Sequence, residues 1–379
     1  MRVLLVTHYY SDHRGGIEIA AEQLAKYLQS NGVEITWAAS GPRPGELPAG
    51  ISPIPMTAWN FTEKWLGFPY PLWGPFSLAR LIRAVWCCDL LHLHDCLYFG
   101  NVVAFVCALF FGIPVIVTQH IGPVPYSNRV LRTLLAIGNR TLGRIVLGGC
   151  TQCVFISRKV QDYFGSFVRF RPPSLLIPNG VSSDTFHPID DDQRRHLRAR
   201  FGWSEDKCVI LFVGRFVEKK GLPILHSLAK QFSACEWVFI GWGPDDPRAW
   251  NLSNVHCVGS LPQREIADYY RAADLLILLS VGEGFPLVVQ EALACGTPVM
   301  ISDDTACGMP DIGNVAWVTS LHEAVVANLI RDLLASPKRL EERRGLAAEY
   351  ARRRWDSDVC FGQNLRLFEV VTKKSKTLL

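Results

Sequence analysis

Two glutamates, Glu283 and Glu291, lie in a segment suited to holding a charged, hydroxylated ligand. It runs from Glu283 through Gly284, Phe285, Pro286 and Leu287 to Glu291, and closes on Ala-Leu-Ala-Cys-Gly-Thr-Pro298. The apolar run Leu275–Leu279 before it reads as a buried strand. Pro286 suits the first turn of a helix, where its missing N–H costs nothing. Gly282 and Gly284 let the backbone come close to a ligand. The helix start offers free amides and the positive end of its dipole, which together favour a diphosphate. Glu283 falls in the loop before this helix, and Glu291 lies more than one turn inside it, about 6–8 Å further along. One carboxylate can meet a sugar while the other meets ribose hydroxyls. Taken alone, the same residues also read as a helix with a capping acid and a solvated glutamate.

Histidine adds further candidates. His120 follows the apolar run Val115–Thr118, and by itself a lone histidine there reads as structural. His92 and His94 alternate along Leu91–Asp95, so they share a face of a strand. No metal site is expected: Asp190–Asp192 has the form D-x-D, but it precedes a basic helix and reads as its start. Cys150 and Cys153 form an isolated C-x-x-C, and most of the 12 cysteines fall in apolar runs, as small hydrophobes do. With Met1-Arg2 leading straight into a strand, this predicts a reducing cytoplasm and no signal peptide.

The elements that must position these residues follow a regular order. Val3–Val6, a Gly15-Gly16 turn, a helix through Leu24 and Leu28, Asn31-Gly32 and the strand Val33–Ala38 open a doubly wound parallel sheet. Leu90–His94, Val115–Thr118 and Gln152–Ile156 continue it. After Pro178-Asn179-Gly180 a second series begins: Val209–Val213, Trp237–Ile240, Val255–Val258, Leu275–Leu279 and Pro298–Ser302. At 379 residues the chain suits two Rossmann-like α/β domains, with ligands in the cleft beyond the carboxyl ends of the strands. The expected boundaries are 1–178 for an acceptor-side domain and 179–355 for a nucleotide-sugar-binding domain. Residues 356–379 form a helix crossing back to the first domain, with a mobile basic tail, Lys373–Lys376. Leu97–Thr118 is charge-free and long enough for a membrane span, but Gly112-Ile113-Pro114 divides it into a helix, Asn101–Phe111, and a short strand.

The motifs, taken together, resemble the family-4 retaining glycosyltransferases, which have the GT-B fold. E-x7-E followed by A-x-A-C-G-T-P-V looks like that family's nucleotide-sugar site. Gly15-Gly16-Ile17-Glu18, Thr118-Gln119-His120, Pro178-Asn179-Gly180-Val181, Gly214-Arg215 with Lys219-Lys220-Gly221, Gly241-Trp242-Gly243 and Arg271-Ala272-Ala273-Asp274 follow its order along nearly the whole chain. The resemblance implies that Arg215 and Lys220 grip the diphosphate, Arg by its planar fork and Lys as a point charge, so that no metal or other cofactor is needed. It implies that Glu283, with the amides of Gly284, Phe285 and Leu287, holds the sugar and its phosphate, and that Gly16 approaches the same phosphate. Glu291, Gly241 and Leu261 would meet the nucleoside, His120 would contact the sugar or β-phosphate, and Glu18 and His94 would face the acceptor. Two departures bear on donor identity: Pro286 and Cys307–Asp311 stand where the family often has glycine and Gly-x-x-Glu.

Charge and aromatics bear on the acceptor. Residues 1–180 hold 15 Lys and Arg against 9 Asp and Glu, while the remainder holds 24 against 26. Residues 58–86 are rich in aromatics: Trp59, Phe61, Trp65, Phe68, Tyr70, Trp73, Phe76 and Trp86. Ser127–Gly149 reads as a helix with Arg129, Arg132, Arg140 and Arg144 on one side and Leu131, Leu134, Leu135, Leu142, Ile145 and Val146 on the other. The expectation is a peripheral protein on the inner face of the cytoplasmic membrane, touching anionic lipid and building a cell-envelope glycan or glycolipid from a glycan or lipid-linked acceptor. No nucleic-acid partner is expected. The alternatives are an enzyme acting on a soluble acceptor, a nucleotide-sugar epimerase, or a catalytically silent nucleotide-binding protein. A NAD-dependent enzyme is disfavoured because no G-x-G-x-x-G follows Val3–Val6.

Overall fold

The computed structural model describes residues 1–379 except 14, 46, 48, 62–69, 126–127 and 378–379, and the side chains of 376–377. It separates two units: Met1–Gly180 with Asp358–Leu379, and Val181–Ser357.

The first unit is built on β1 (Arg2–Tyr9), β2 (Glu34–Ser40), β3 (Ile51–Met56), a ribbon of β4 (Ala58–Trp59) and β5 (Leu72–Trp73), then β6 (Leu90–His94), β7 (Val115–Gln119), β8 (Gln152–Phe155) and β9 (Leu175–Leu176). Its seven-stranded sheet has the order β3-β2-β1-β6-β7-β8-β9 and is parallel throughout. Leu4, Leu91 and Val117 pack into a core on one face, and Leu5, Leu90 and Ile116 into a core on the other. Strands buried on both faces read as unbroken apolar runs, so β1, β6, β7 and β8 are visible in the sequence. β3 is not, because Pro53 and Pro55 interrupt it. It is an edge strand, where proline's missing N–H faces away from the ladder.

The charge-free stretch resolves into the helix Phe99–Phe111, closed by Gly112 in the left-handed region at φ 67°, and β7. Among the described residues no helix is long and apolar enough to cross a membrane. The last helix, Ser357–Thr377, belongs to the first unit, where Phe361, Phe368 and Val371 join the core that holds Leu5 and Ile116. Burying each such side chain stabilises by about 1.5–3 kcal/mol. This helix runs on through Lys373–Lys376.

The second unit carries β10 (Val209–Val213), β11 (Glu236–Ile240), β12 (Val255–Gly259), β13 (Leu275–Leu278), β14 (Val299–Ser302) and β15 (Ala316–Thr319). They form one parallel sheet in the order β12-β11-β10-β13-β14-β15, which is the Rossmann arrangement. The D-x-D segment is a helix start: the Asp190 side chain accepts from Gln193 N at 2.8 Å, and Gln193 Oε1 accepts in return from Asp190 N at 3.3 Å. This capping box opens the helix Asp191–Arg200.

Candidate active site

In the second unit the chemistry gathers where β10 and β13 end. β10 runs into Gly214 and Arg215, a short turn Glu218–Lys220 follows, and Gly221 sits at φ 78°. A Cβ on Gly221 would stand 2.4 Å from Leu279 O, so glycine alone lets this turn lie against the end of β13. The packing brings Lys220 to Glu283, with Nζ 2.7 Å from Oε1. Lys219 faces the same carboxylate. Burial lowers its pKa and Glu283 raises it, while repulsion from Lys220 and Arg215 lowers it again. Lys220 thus pairs with Glu283 while Lys219 and Arg215 stand close enough to repel one another, an excess of positive charge that suits a diphosphate. Arg215 stacks its guanidinium on Trp242, 4.8 Å from the ring centroid, which fixes the plane of its fork. Lys219 and Trp242 lay inside sequence motifs, but residue type alone gave neither a role.

The helix after Glu283 spans Leu287–Ala294, with Pro286 as its N-cap in extended conformation, one position earlier than expected. The first amides of a helix have no partner within it, so those of Leu287 and Val288 open toward the loop that holds Gly284 and Phe285. Gly282 N donates to Asp304 Oδ2 at 2.7 Å, which pins that loop. Glu291 is buried, and its carboxylate accepts from Gln263 Nε2 at 3.0 Å and from Tyr270 Oη at 3.0 Å. Burial pushes its pKa up to about 7, although both hydrogen bonds pull it down. A carboxylate has about four acceptor sites, so two remain unused. Leu261 lies half-buried two residues before Gln263. Gly241 has a packing reason for its type: at φ 148° a Cβ would fall 1.9 Å from Gly214 O.

In the first unit the histidines form a cluster. His8, at the end of β1, places Nε2 3.0 Å from Glu18 Oε1, and His13 Nδ1 lies 3.5 Å from the same oxygen. Glu18 is therefore buried between two imidazoles inside the protein. Burial raises its pKa, but attraction to His8 and the hydrogen bonds from His13 and His8 outweigh that and hold it below the usual carboxylate range. A Cβ on Gly15 would strike the Glu18 carboxylate at 2.1 Å, whereas one on Gly16 would meet nothing within 4 Å. The Gly16 backbone is thus open to a ligand. His94 Nδ1 lies 2.8 Å from His120 Nε2, and His92 Nε2 lies 2.8 Å from Thr118 Oγ1. Burial lowers the pKa of all three, to about 3 for His92 and His120. Asp95, at a left-handed φ of 68°, accepts from His120 N at 2.8 Å and Ile121 N at 3.1 Å, and so fixes the end of β7. His8, His13 and Asp95 carried no motif signal; only the fold brings them to Glu18 and His120.

The basic helix differs from its expected form. Asn128 caps it, the regular turns run Arg129–Gly138 and Arg144–Gly149, and a π-helical turn, Asn139–Gly143, joins them. Leu131 and Val146 are buried, but Leu134 (61% exposed), Leu142 (42%) and Ile145 (61%) face solvent with the arginines. The extra residue of the π turn rotates everything after it, so one helical wheel cannot describe both halves. Trp59, Phe61, Phe76 and Trp86 are exposed. Trp73 is buried with Nε1 donating to Ser40 Oγ at 2.7 Å, and Tyr70 Oη donates to Leu97 O at 2.9 Å. Trp65, Phe68 and Ser127 lie outside the described residues. Among the described residues no group of three His, Cys, Asp or Glu is placed to hold a metal.

The family model described as Glycosyl transferases group 1 matches residues 193–354, and that described as Glycosyltransferase Family 4 matches 14–185. D-inositol 3-phosphate glycosyltransferase 1 of Catenulispora acidiphila is 30% identical over 372 residues, covering 89% of this chain and 86% of that protein. The chain belongs to the group 1 glycosyltransferases. This glycosyltransferase is also 26% identical over 322 residues to TuaC of Bacillus subtilis, provisionally named a teichuronic acid biosynthesis glycosyltransferase, covering 78% of this chain and 79% of TuaC. Its fold matches Anabaena HepE in complex with UDP-glucose at a TM-score of 0.75 and 17% identity, covering 98% of this chain and 99% of that one. The two parallel-sheet α/β domains of this glycosyltransferase are of the GT-B class.

Proposed function

We propose that this glycosyltransferase moves a sugar from a nucleotide-sugar donor to a hydroxyl acceptor with retention of configuration and without a metal. The observation that carries the reading is the Lys220–Glu283 pair with Lys219 and Arg215 close by, ahead of the first turn of the helix Leu287–Ala294. These cations neutralise the leaving diphosphate, the work a divalent ion does elsewhere. Glu283 holds the sugar and Glu291 the ribose. The Family 4 match and the UDP-glucose complex of HepE support the donor class. The acceptor is a glycan or lipid-linked molecule of the cell envelope, met at the inner face of the cytoplasmic membrane. The exposed arginines and apolar side chains of residues 129–145, and the name of TuaC, support that assignment. The name of the Catenulispora relative favours a second reading, a small phosphorylated acceptor in solution.

The test is release of nucleoside diphosphate across UDP-, GDP- and ADP-sugars, with and without chelator. Lys220→Ala should lose most activity with the preferred donor; turnover unaffected by Lys220→Ala or Glu291→Ala would reject the site. Binding to anionic liposomes in low salt, reduced when Arg129, Arg132, Arg140 and Arg144 become Gln, separates the two acceptor readings. Equal binding to neutral vesicles rejects the electrostatic contact.

A further inference from the structure

We infer that His94 is a positioning residue that fixes the tautomer of His120, so that His120 meets its substrate as a neutral hydrogen-bond donor through Nδ1. The inference rests on the proposal that His120 touches the substrate, but its first test does not.

The argument starts from the 2.8 Å contact between His94 Nδ1 and His120 Nε2. Between two neutral imidazoles such a contact holds one proton, so one ring donates and the other accepts. Both rings are buried, His94 at 1% and His120 at 4% exposed, and burial disfavours the charged form of each. A neutral ring carries its single N–H on one nitrogen only. The far nitrogen of His94 decides which arrangement holds. His94 Nε2 is buried, and among the described residues nothing lies within hydrogen-bond reach of it. If His120 donated to His94, the His94 proton would sit on Nε2, a buried N–H with no acceptor. If His94 donates to His120, Nε2 keeps only a lone pair. Buried donors without acceptors are rarer and costlier than under-used acceptors. The second arrangement therefore wins: His94 Nδ1–H donates to His120 Nε2, and the His120 proton is left on Nδ1.

The surroundings hold this arrangement in place. Asn101 Nδ2 donates to His94 O at 2.6 Å and to Asp95 O at 2.7 Å, and Asp95 Oδ1 accepts from His120 N. His94 and His120 stack at 5.0 Å between centroids with 19° between their planes, and His92 packs on His94 at 4.5 Å. With the backbone held and the rings stacked, turning either ring by 180° would lose the Nδ1–Nε2 contact. The chemical consequence is specific. A nitrogen that already bears a proton cannot take one from an acceptor hydroxyl, so His120 is excluded as the general base. It can donate to an oxygen of the sugar or phosphate, and that bond strengthens as negative charge grows there.

The test reads the two histidines directly. In ligand-free protein carrying isotope-labelled histidine nitrogens, His120, assigned by its loss in His120→Gln, should show a protonated Nδ1 and an unprotonated Nε2. The opposite pattern, or a charged ring at neutral pH, overturns the inference whatever the enzyme's substrate. In turnover with the preferred donor, His94→Phe should let the tautomers mix and lower kcat by about tenfold, with KM for the donor little changed. His94→Asn, whose amide can still donate to His120 Nε2, should restore both the tautomer and most of kcat. An unchanged tautomer and kcat in His94→Phe overturns the role given to His94. Loss of donor turnover in every preparation, with the wild-type tautomer as stated, would instead count against the donor assignment.

Discussion

Donor affinity should depend on pH through Glu291, and Tyr270→Phe should move that dependence in a calculable direction. Glu291 is buried and its pKa stands near 7, lifted from an ordinary 4.5 by the cost of burying its charge. In the proposed site, ribose hydroxyls would donate to the ionised form. Affinity should therefore rise with pH through about 7, and between pH 8 and pH 6 the ionised fraction falls about tenfold. Tyr270 Oη donates to this carboxylate at 3.0 Å, a bond to a charged group of about 1.5–3 kcal/mol. Removing it destabilises the ionised form by that amount and should raise the midpoint by about one to two pH units. Near pH 7 the variant should bind donor roughly ten times more weakly, and the two proteins should converge at high pH. Isothermal titration calorimetry with the intact nucleotide sugar measures this. The nucleoside diphosphate is unsuitable, because a terminal phosphate itself titrates near pH 6. His92 and His120, in the first unit, do not titrate in this range, since burial puts both near 3. An unmoved midpoint in Tyr270→Phe, or a midpoint near 7 that survives Glu291→Gln, would refute the reasoning.

Three further outcomes are expected. Gly221→Ala should lower stability by about 1–3 kcal/mol in a denaturant titration, because its backbone is left-handed and its Cβ would meet Leu279 O. Glu18→Gln should cost about 3–5 kcal/mol by breaking a buried ion contact. The sign follows from a pKa held below the unfolded value: wild-type Glu18 adds stability above about pH 4.5 and loses it as acid protonates it, so thermal melts of the variant should show a weaker acid limb. Asp190→Ala should cost about 1 kcal/mol as a lost cap and leave turnover unchanged; lost turnover would restore D-x-D as a functional motif.

The parallel strands that carry the site were legible because burial on both faces writes them as apolar runs, as in β1, β7 and β10. Lys220, Glu283 and Glu291 were legible because they sit on local motifs. The partners that tune them were not, because they come from distant parts of the chain. Gln263 and Tyr270 lie on a different helix from Glu291, and His94 lies on a different strand from His120. Strand periodicity put His92 and His94 on one face, but not against His120. Beyond residue 138 the basic helix misled because a π turn shifts its phase without leaving a mark in residue type; Leu134, before that turn, is exposed too. β3 stayed hidden for the opposite reason: its prolines argue against a strand, and only its place at the sheet edge makes them tolerable.

The last helix also sets an order of assembly. Phe361, Phe368 and Val371 complete a core whose other residues begin at Val3. During synthesis the whole of Val181–Ser357 must leave the ribosome before that core can close. At ordinary elongation rates this is a wait on the order of ten to thirty seconds. Through that interval the nascent first unit leaves Tyr27 and His92, on which Phe361 and Phe368 pack, without their covering helix, while the second unit, whose sheet is contiguous in sequence, can finish alone. The chain is thus a protein whose beginning folds last. A stop codon that removes only its final helix should yield an aggregating product, although every residue of the proposed donor-binding group is still present.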